Sequence, residues 1–215
     1  MPRTADHELR RRQIADAVCS LVATQGLDSV TVARTAATAG MSVGLVQHYF
    51  RSKDDMLLCA FQTVSADIRA RVGAHVATGE RHRRTIAAIL LDALTEYVPL
   101  DDERRAEHRV ARALAGRALD VPRLAEVDAA TAAGLRAEIA RAVRNGKECG
   151  EVAGGVVPES AALRLFALAD GLAAQVYRAP GDGFGHRDTA EAVATALRAE
   201  LATVFTGECR RYRTP

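Results

Sequence analysis

A chain of 215 residues is long enough for two domains that each bury a core, and its 4% aromatic content without tryptophan argues against a strand-rich fold. The formal net charge of +2 is too small to assign a nucleic-acid partner by itself, and no apolar run reaches the roughly 18 residues of a membrane-spanning helix. The four cysteines are scattered, with no C-x-x-C pair and no apolar signal segment before them, so reduced thiols and a cytoplasmic location are expected.

In chain order, apolar residues at Ile14, Ala17, Val18, Leu21 and Val22 mark one stripe of an amphipathic helix from about Glu8 to Thr24, stopped by Gly26. Thr31 is a suitable N-cap for a second helix running to about Thr38, Gly40 makes the next break, and Ser42 caps a short third helix ending near His48. A longer helix is expected from Lys53 to His75, with Met56, Leu57, Ala60, Phe61, Val64, Ile68 and Val72 on one side. Further helices are expected at about 83–98, 102–117 and 122–145, the last ended by Asn145-Gly146 and followed by a glycine-rich loop over 146–157. The two most apolar helices fall at about 159–178 and 189–206, separated by a flexible Pro180–Gly185 connection and followed by a frayed tail at Arg210–Arg213. The sum is an all-α chain.

The informative stretch is Thr31 to Phe50, TVARTAATAGMSVGLVQHYF. A helix-turn-helix needs a small residue on its first helix, a turn residue that accepts positive φ and an apolar residue beneath the second; Ala36, Gly40 and Val46 stand at these places. Charge agrees with this. The first 53 residues hold seven Lys/Arg against four acids, while the remainder is nearly neutral.

With Arg11-x-x-Ile14, Gly26, Thr31, Ala36, Ala39-Gly40-x-Ser42, Gly44, Tyr49-Phe50, Lys53 and Leu57, the stretch from 11 to 58 resembles the DNA-binding domain of the tetracycline-repressor (TetR) family. Thr35 departs from that pattern where a buried aliphatic is usual, and Gln47 where many members carry a tyrosine. The resemblance implies a helix-turn-helix domain over 1–53 and a helical ligand-sensing and dimerisation domain over 54–215. Ser42 to His48 becomes the recognition helix, entering the major groove. Gly44 lets backbone approach DNA, Gln47 reads an adenine edge, and Val43 and Leu45 touch thymine methyls. Tyr49, Lys53 and Thr31 contact phosphate, as do Arg10, Arg11 and Arg12, whereas Phe50 belongs to the core.

Traces at Glu107–Val110, Ala118–Pro122 and Asp170–Leu172 resemble the branch of the family that includes the choline-responsive repressor of betaine synthesis. What this implies is a transcriptional repressor that binds palindromic double-stranded operator DNA as a homodimer and is released by a small-molecule effector. The last two helices would form the dimer interface, with Leu197 facing the second copy. Tyr97, His108, Arg112, Asp170 and Tyr177 are the candidate ligand contacts. No metal or cofactor is expected. An enzyme is the weaker reading, because His75 and His82 are separated by a predicted loop and Gly150–Gly155 lacks a phosphate-loop Lys-Ser/Thr. A redox-sensing regulator is the other alternative, with Cys149 in an exposed loop beside Lys147, whose charge would favour the thiolate.

Overall fold

The computed structural model describes residues 2–179 and 186–210, with side chains from Asp6 onward and, in the last helix, from Asp188. The expected Pro180–Gly185 connection and the tail beyond Arg210 lie outside the described residues. Among those described there are nine α-helices and no strand. They are α1 (Pro2–Gln25), α2 (Val32–Ala39), α3 (Val43–Tyr49), α4 (Lys53–Arg81), α5 (Ile86–Thr95), α6 (Asp102–Ala118), α7 (Pro122–Cys149), α8 (Pro158–Arg178) and α9 (His186–Val204). No helix is long and apolar enough to cross a membrane among the described residues.

The chain divides into two compact units, residues 1–67 with 105–128, and residues 68–104 with 129–215. In the first, α1 packs on α2 and α2 on α3. The stripe read from sequence is buried: Ile14, Val18 and Val22 are at most 1% exposed, as are Ala36 and Val46. The start of α4 is pinned in the same unit, where Asp54 takes two hydrogen bonds from Arg117 at 3.0 and 2.8 Å and Asp55 takes one from Arg123 at 2.8 Å. Arg109 donates to the Ala23 carbonyl near the end of α1 at 2.6 Å.

The second unit has its own core of Leu90, Leu94 and Val98 from α5 and the turn after it, Ile139 and Ala140 from α7, Ala162, Leu165 and Ala169 from α8, and Val193, Leu197 and Leu201 from α9. This corrects one expectation. Leu197 is 0% exposed within its own chain and Val193, Leu201 and Val204 are at most 4% exposed, so the apolar residues of α9 need no second copy to cover them. Their partners are α5, α7 and α8 of the same chain.

Several helix limits also differ, the first helix starting at Pro2 and not near Glu8. The fourth helix continues past His75 to Arg81, so no loop separates His75 from His82. Gly79, within the extension, provides bare backbone against which Ile89 packs; a Cβ there would fall 2.3 Å from the Ile89 Cγ1. The seventh helix runs through Asn145-Gly146 to Cys149. Gly146 is used for close packing against Val152 and Phe205, and the stop is Gly150 at φ +96°, a conformation that favours glycine. The loop therefore begins at Gly150 instead of 146. The fifth helix is shorter than expected, starting at Ile86 because the Thr85 side chain accepts from the Ala88 N–H.

Candidate nucleic-acid interface

The reading module is built from two capped helices and a glycine turn. Thr31 and Ser42 each cap as expected, accepting from the backbone N–H of Arg34 and of Leu45 at 3.2 Å. Gly40 takes φ +66°, and the N–H groups of Gly40 and Met41 close back on Ala37 and Ala36 carbonyls at 3.3 and 2.9 Å. This fixes where α3 leaves α2. With Val46 and Phe50 buried at 0% and 3% exposure, the opposite face of α3 is left outward.

That outward face carries Val43, Gly44, Gln47 and His48, all exposed, with Leu45 half-buried at its edge. At about 1.5 Å per residue the seven-residue helix is roughly 10 Å long, and a B-DNA major groove is about 12 Å wide. Gly44 has nothing within 4 Å of the place a Cβ would occupy, so the backbone there is open to close approach. Tyr49 is half-buried between His7, ring centroids 4.8 Å apart, and His48, edge-on at 5.3 Å. Lys53 opens α4 with its ammonium 4.0 Å from Asp28.

The three consecutive arginines of α1 are occupied within the chain. Arg11 lies over the Phe50 ring at 4.7 Å and donates to the Cys59 sulfur, Arg12 is bidentate to Asp67 at 3.0 and 2.7 Å, and Arg10 reaches Gln13. Two cations that the sequence reading left unassigned are exposed on the same module: Arg34 on α2, bonded to Gln25, and Arg51 in the turn after α3. Only their exposure, which sequence does not give, sets them apart from other arginines. Thr35 is fully buried and its hydroxyl has no hydrogen-bond partner, the physical consequence of a polar residue at an aliphatic position.

Of the five candidate ligand contacts, His108 and Arg112 belong to the first unit and Tyr97, Asp170 and Tyr177 to the second. Arg112 and Asp170 are exposed; the other three are half-buried. Burial, with Glu138 nearby, pushes the Tyr97 phenol up to about 12, so it stays a hydrogen-bond donor. An open groove of about 390 Å³ lies in the second unit between α7 and α8, lined by Arg136, Ala137, Ala140, Arg144, Glu159 and Leu163 among others.

Beside Tyr97 stands a feature absent from the sequence reading. Glu96, 7% exposed, accepts from Arg71 and His75 of α4 and from Arg104 of α6, each at 2.8 Å. Burial would push this carboxyl up, but the hydrogen bonds from Arg104, His75 and Arg71 outweigh it and hold the group at about 2. Glutamate is common on helices, and nothing local marks this one as the acceptor for three basic side chains.

The surroundings of Cys149 do not favour the thiolate expected there. Cys149 is the half-buried last residue of α7, and Lys147 turns its ammonium to the Val156 carbonyl at 3.0 Å. Burial, with the neighbouring Cys209 thiol and Glu151 charge, pushes the Cys149 thiol up to about 11.

An all-helical chain that presents a capped helix-turn-helix with an open outer face has the form of a DNA-reading regulator. Residues 14–60 match the bacterial regulatory proteins of the tetR family, and residues 86–203 match the C-terminal domain of BetI-type transcriptional repressors. The chain belongs to the TetR family, and both matched families are regulators, not enzymes. It is 31% identical over 110 residues to the transcriptional regulator PksA of Bacillus subtilis, covering 51% of this chain and 52% of that protein. It is 36% identical over 91 residues to BetI 1 of Chromohalobacter salexigens, covering 42% of this chain and 45% of that protein. The chain spans about half the length of the curated relatives it matches. Over nearly the whole fold it is similar to a transcriptional regulator from Rhodococcus sp., with TM-score 0.76 and 28% identity over 91% of this chain and 96% of that one. A transcriptional regulator from Saccharomonospora viridis, described in complex with choline, shares the fold at TM-score 0.70 and 20% identity over 86% of this chain and 93% of that one.

Proposed function

We propose that this chain is a cytoplasmic repressor that holds palindromic double-stranded operator DNA as a homodimer and releases it when a small-molecule effector binds. In this reading residues 1–53 are the reading head and 54–215 the sensing and dimerising body. The observation that carries it is the outer face of α3, where Val43, Gly44, Gln47 and His48 stand exposed on a helix whose caps and core fix its orientation. Gln47 has the paired donor and acceptor that read adenine, and Val43 and Leu45 are apolar partners for thymine methyls. Thr31, Ser42, Tyr49 and Lys53 supply hydroxyls and an ammonium for phosphates, and the exposed Arg34 and Arg51 join them. Arg11 acts from behind, since its stacking on Phe50 steadies the end of α3.

Dimerisation through α8 and α9 is supported by what those helices leave uncovered. Leu163, Ala167 and Gly171 of α8 and Ala192, Ala199 and Ala202 of α9 are exposed, small or apolar positions suited to close helix packing. A symmetric pair would set two recognition helices about 34–36 Å apart, one turn of DNA. For the effector, the half-buried Tyr97 and Tyr177 of the second unit are better placed than the exposed Asp170 of that unit, and in the first unit the half-buried His108 is better placed than the exposed Arg112. The choline complex of the Saccharomonospora protein supports a small organic effector. Because α4 is one helix from Lys53 to Arg81, a ligand that displaces its far half is felt at Lys53.

The test is selection of bound sequences from random duplex DNA, followed by variants on the selected site. Lys53→Ala should weaken binding to all sequences alike and reduce the slope of log affinity against log salt by about 1. Gln47→Ala should instead relax preference at one position, costing about 1–3 kcal/mol there. Failure to enrich any sequence, with no salt-dependent binding, would overturn the reading.

A further inference from the structure

We propose that Cys149, Glu151 and Cys209 form a binding site for a thiophilic divalent cation of the zinc class, with two sulfur ligands and one carboxylate oxygen. The residues come from the end of α7, the turn behind it and the segment after α9, and one ligand atom from each lies within 4.8 Å of the other two. A tetrahedral zinc with sulfur at about 2.3 Å wants its two sulfurs about 3.8 Å apart, with a carboxylate oxygen at about 2.0–2.2 Å. The three side chains therefore need to close by only about an ångström.

Backbone geometry brings the two cysteines together. The Arg210 N–H donates to the Cys149 carbonyl at 2.7 Å and the Gly207 N–H to the Glu151 carbonyl at 2.9 Å, clasping the segment after α9 onto the 149–151 turn. The approach is so close that a Cβ at Gly207 would fall 2.2 Å from the Gly150 carbonyl oxygen. Glu151 is 2% exposed, and its carboxylate accepts from the Ile86 N–H at 3.1 and 2.8 Å and from the Ala87 N–H at 3.3 Å. The Cys149 thiol points at it from 3.6 Å, and no lysine, arginine or histidine pairs with it among the described residues. Oε2 is taken up by the Ile86 and Ala87 N–H groups, whereas Oε1 has only the longer Ile86 contact from the backbone and faces the Cys149 thiol, so it keeps a lone pair for a metal, and a cation would offset the buried charge. Both cysteines are half-buried and not sealed from solvent, so the site can be entered. Sulfur ligands select zinc-like cations over magnesium or calcium. On binding, the two thiols lose two protons to solvent as two metal–sulfur bonds form. The occupied site ties the segment after α9 to the N-terminus of α5.

The test needs neither DNA nor effector. The reduced full-length protein is titrated with cobalt(II), which reports thiolate ligation through near-ultraviolet sulfur-to-cobalt absorption. One equivalent should bind with that absorption and be displaced by zinc. Cys209→Ser, a change outside the helical core, should abolish the absorption with the circular dichroism unchanged, while Cys19→Ser should retain it. Absence of sulfur-to-cobalt absorption at one equivalent, or its survival in Cys209→Ser, would overturn the site. So would a reduced protein that takes no cobalt but joins Cys149 to Cys209 as a disulfide under peroxide, which would make the pair a dithiol switch.

Discussion

Replacing Glu96 by glutamine removes one negative charge from the centre of three basic side chains while keeping the shape of the residue. In the native protein Arg104, His75 and Arg71 hold this carboxyl at about 2 against the cost of burial. A displacement of that size from the ordinary carboxylate range is worth about 3 kcal/mol of stability at neutral pH. The folded-state pKa is depressed, so the contribution is complete above the unfolded value near pH 4.5 and is lost as pH falls towards 2. Glu96→Gln should therefore lower unfolding free energy by about 3 kcal/mol at pH 7, or the melting temperature by about 6–12 °C for a chain of this size. The gap between the two proteins should hold down to about pH 4.5 and narrow below it. Urea unfolding at one protein concentration, followed by circular dichroism from pH 7 to pH 3, reads both quantities. A gap under 1 kcal/mol at pH 7, or one unchanged between pH 5 and pH 3, would refute the reasoning. Because Arg71 and His75 lie one turn apart on α4, the same variant should also loosen the far half of that helix.

Other outcomes follow from single positions. Leu197→Glu places a carboxylate in the core of its own chain and should unfold the second unit, seen as lost cooperative melting, whereas Ala199→Glu on the exposed side of α9 should leave the fold intact and give monomers by sedimentation. Thr35→Val removes a buried hydroxyl without a partner and should stabilise by about 1–2 kcal/mol in urea unfolding; a loss of stability would mean that the hydroxyl is satisfied. Ser42→Ala removes the cap of α3 and should cost about 1 kcal/mol, with operator affinity falling alongside.

Local chemistry was enough to read the head from sequence. Thr31, Gly40 and Ser42 act on backbone groups within three or four residues of themselves, so their presence at the right spacing set the ends of α2 and α3 and left Val43 to His48 between an apolar anchor and the surface. The stripe from Ile14 to Val22 likewise predicted its own burial, because a helix with one apolar face has only one way to hide it. Tertiary structure decided what depends on residues far apart in the chain. Asn145-Gly146 reads as a helix stop, yet Gly146 is helical, with Val152 and Phe205 filling the space a side chain would need, as Ile89 does at Gly79. Leu197 was apolar enough for either a core or a dimer interface, and only packing against α5, α7 and α8 chose the core. Glu96 and the Cys149–Glu151–Cys209 cluster carried no signal at all. Their properties come from which side chains the fold brings within a few ångströms, and that is fixed by the packing of several helices at once instead of by any run of sequence.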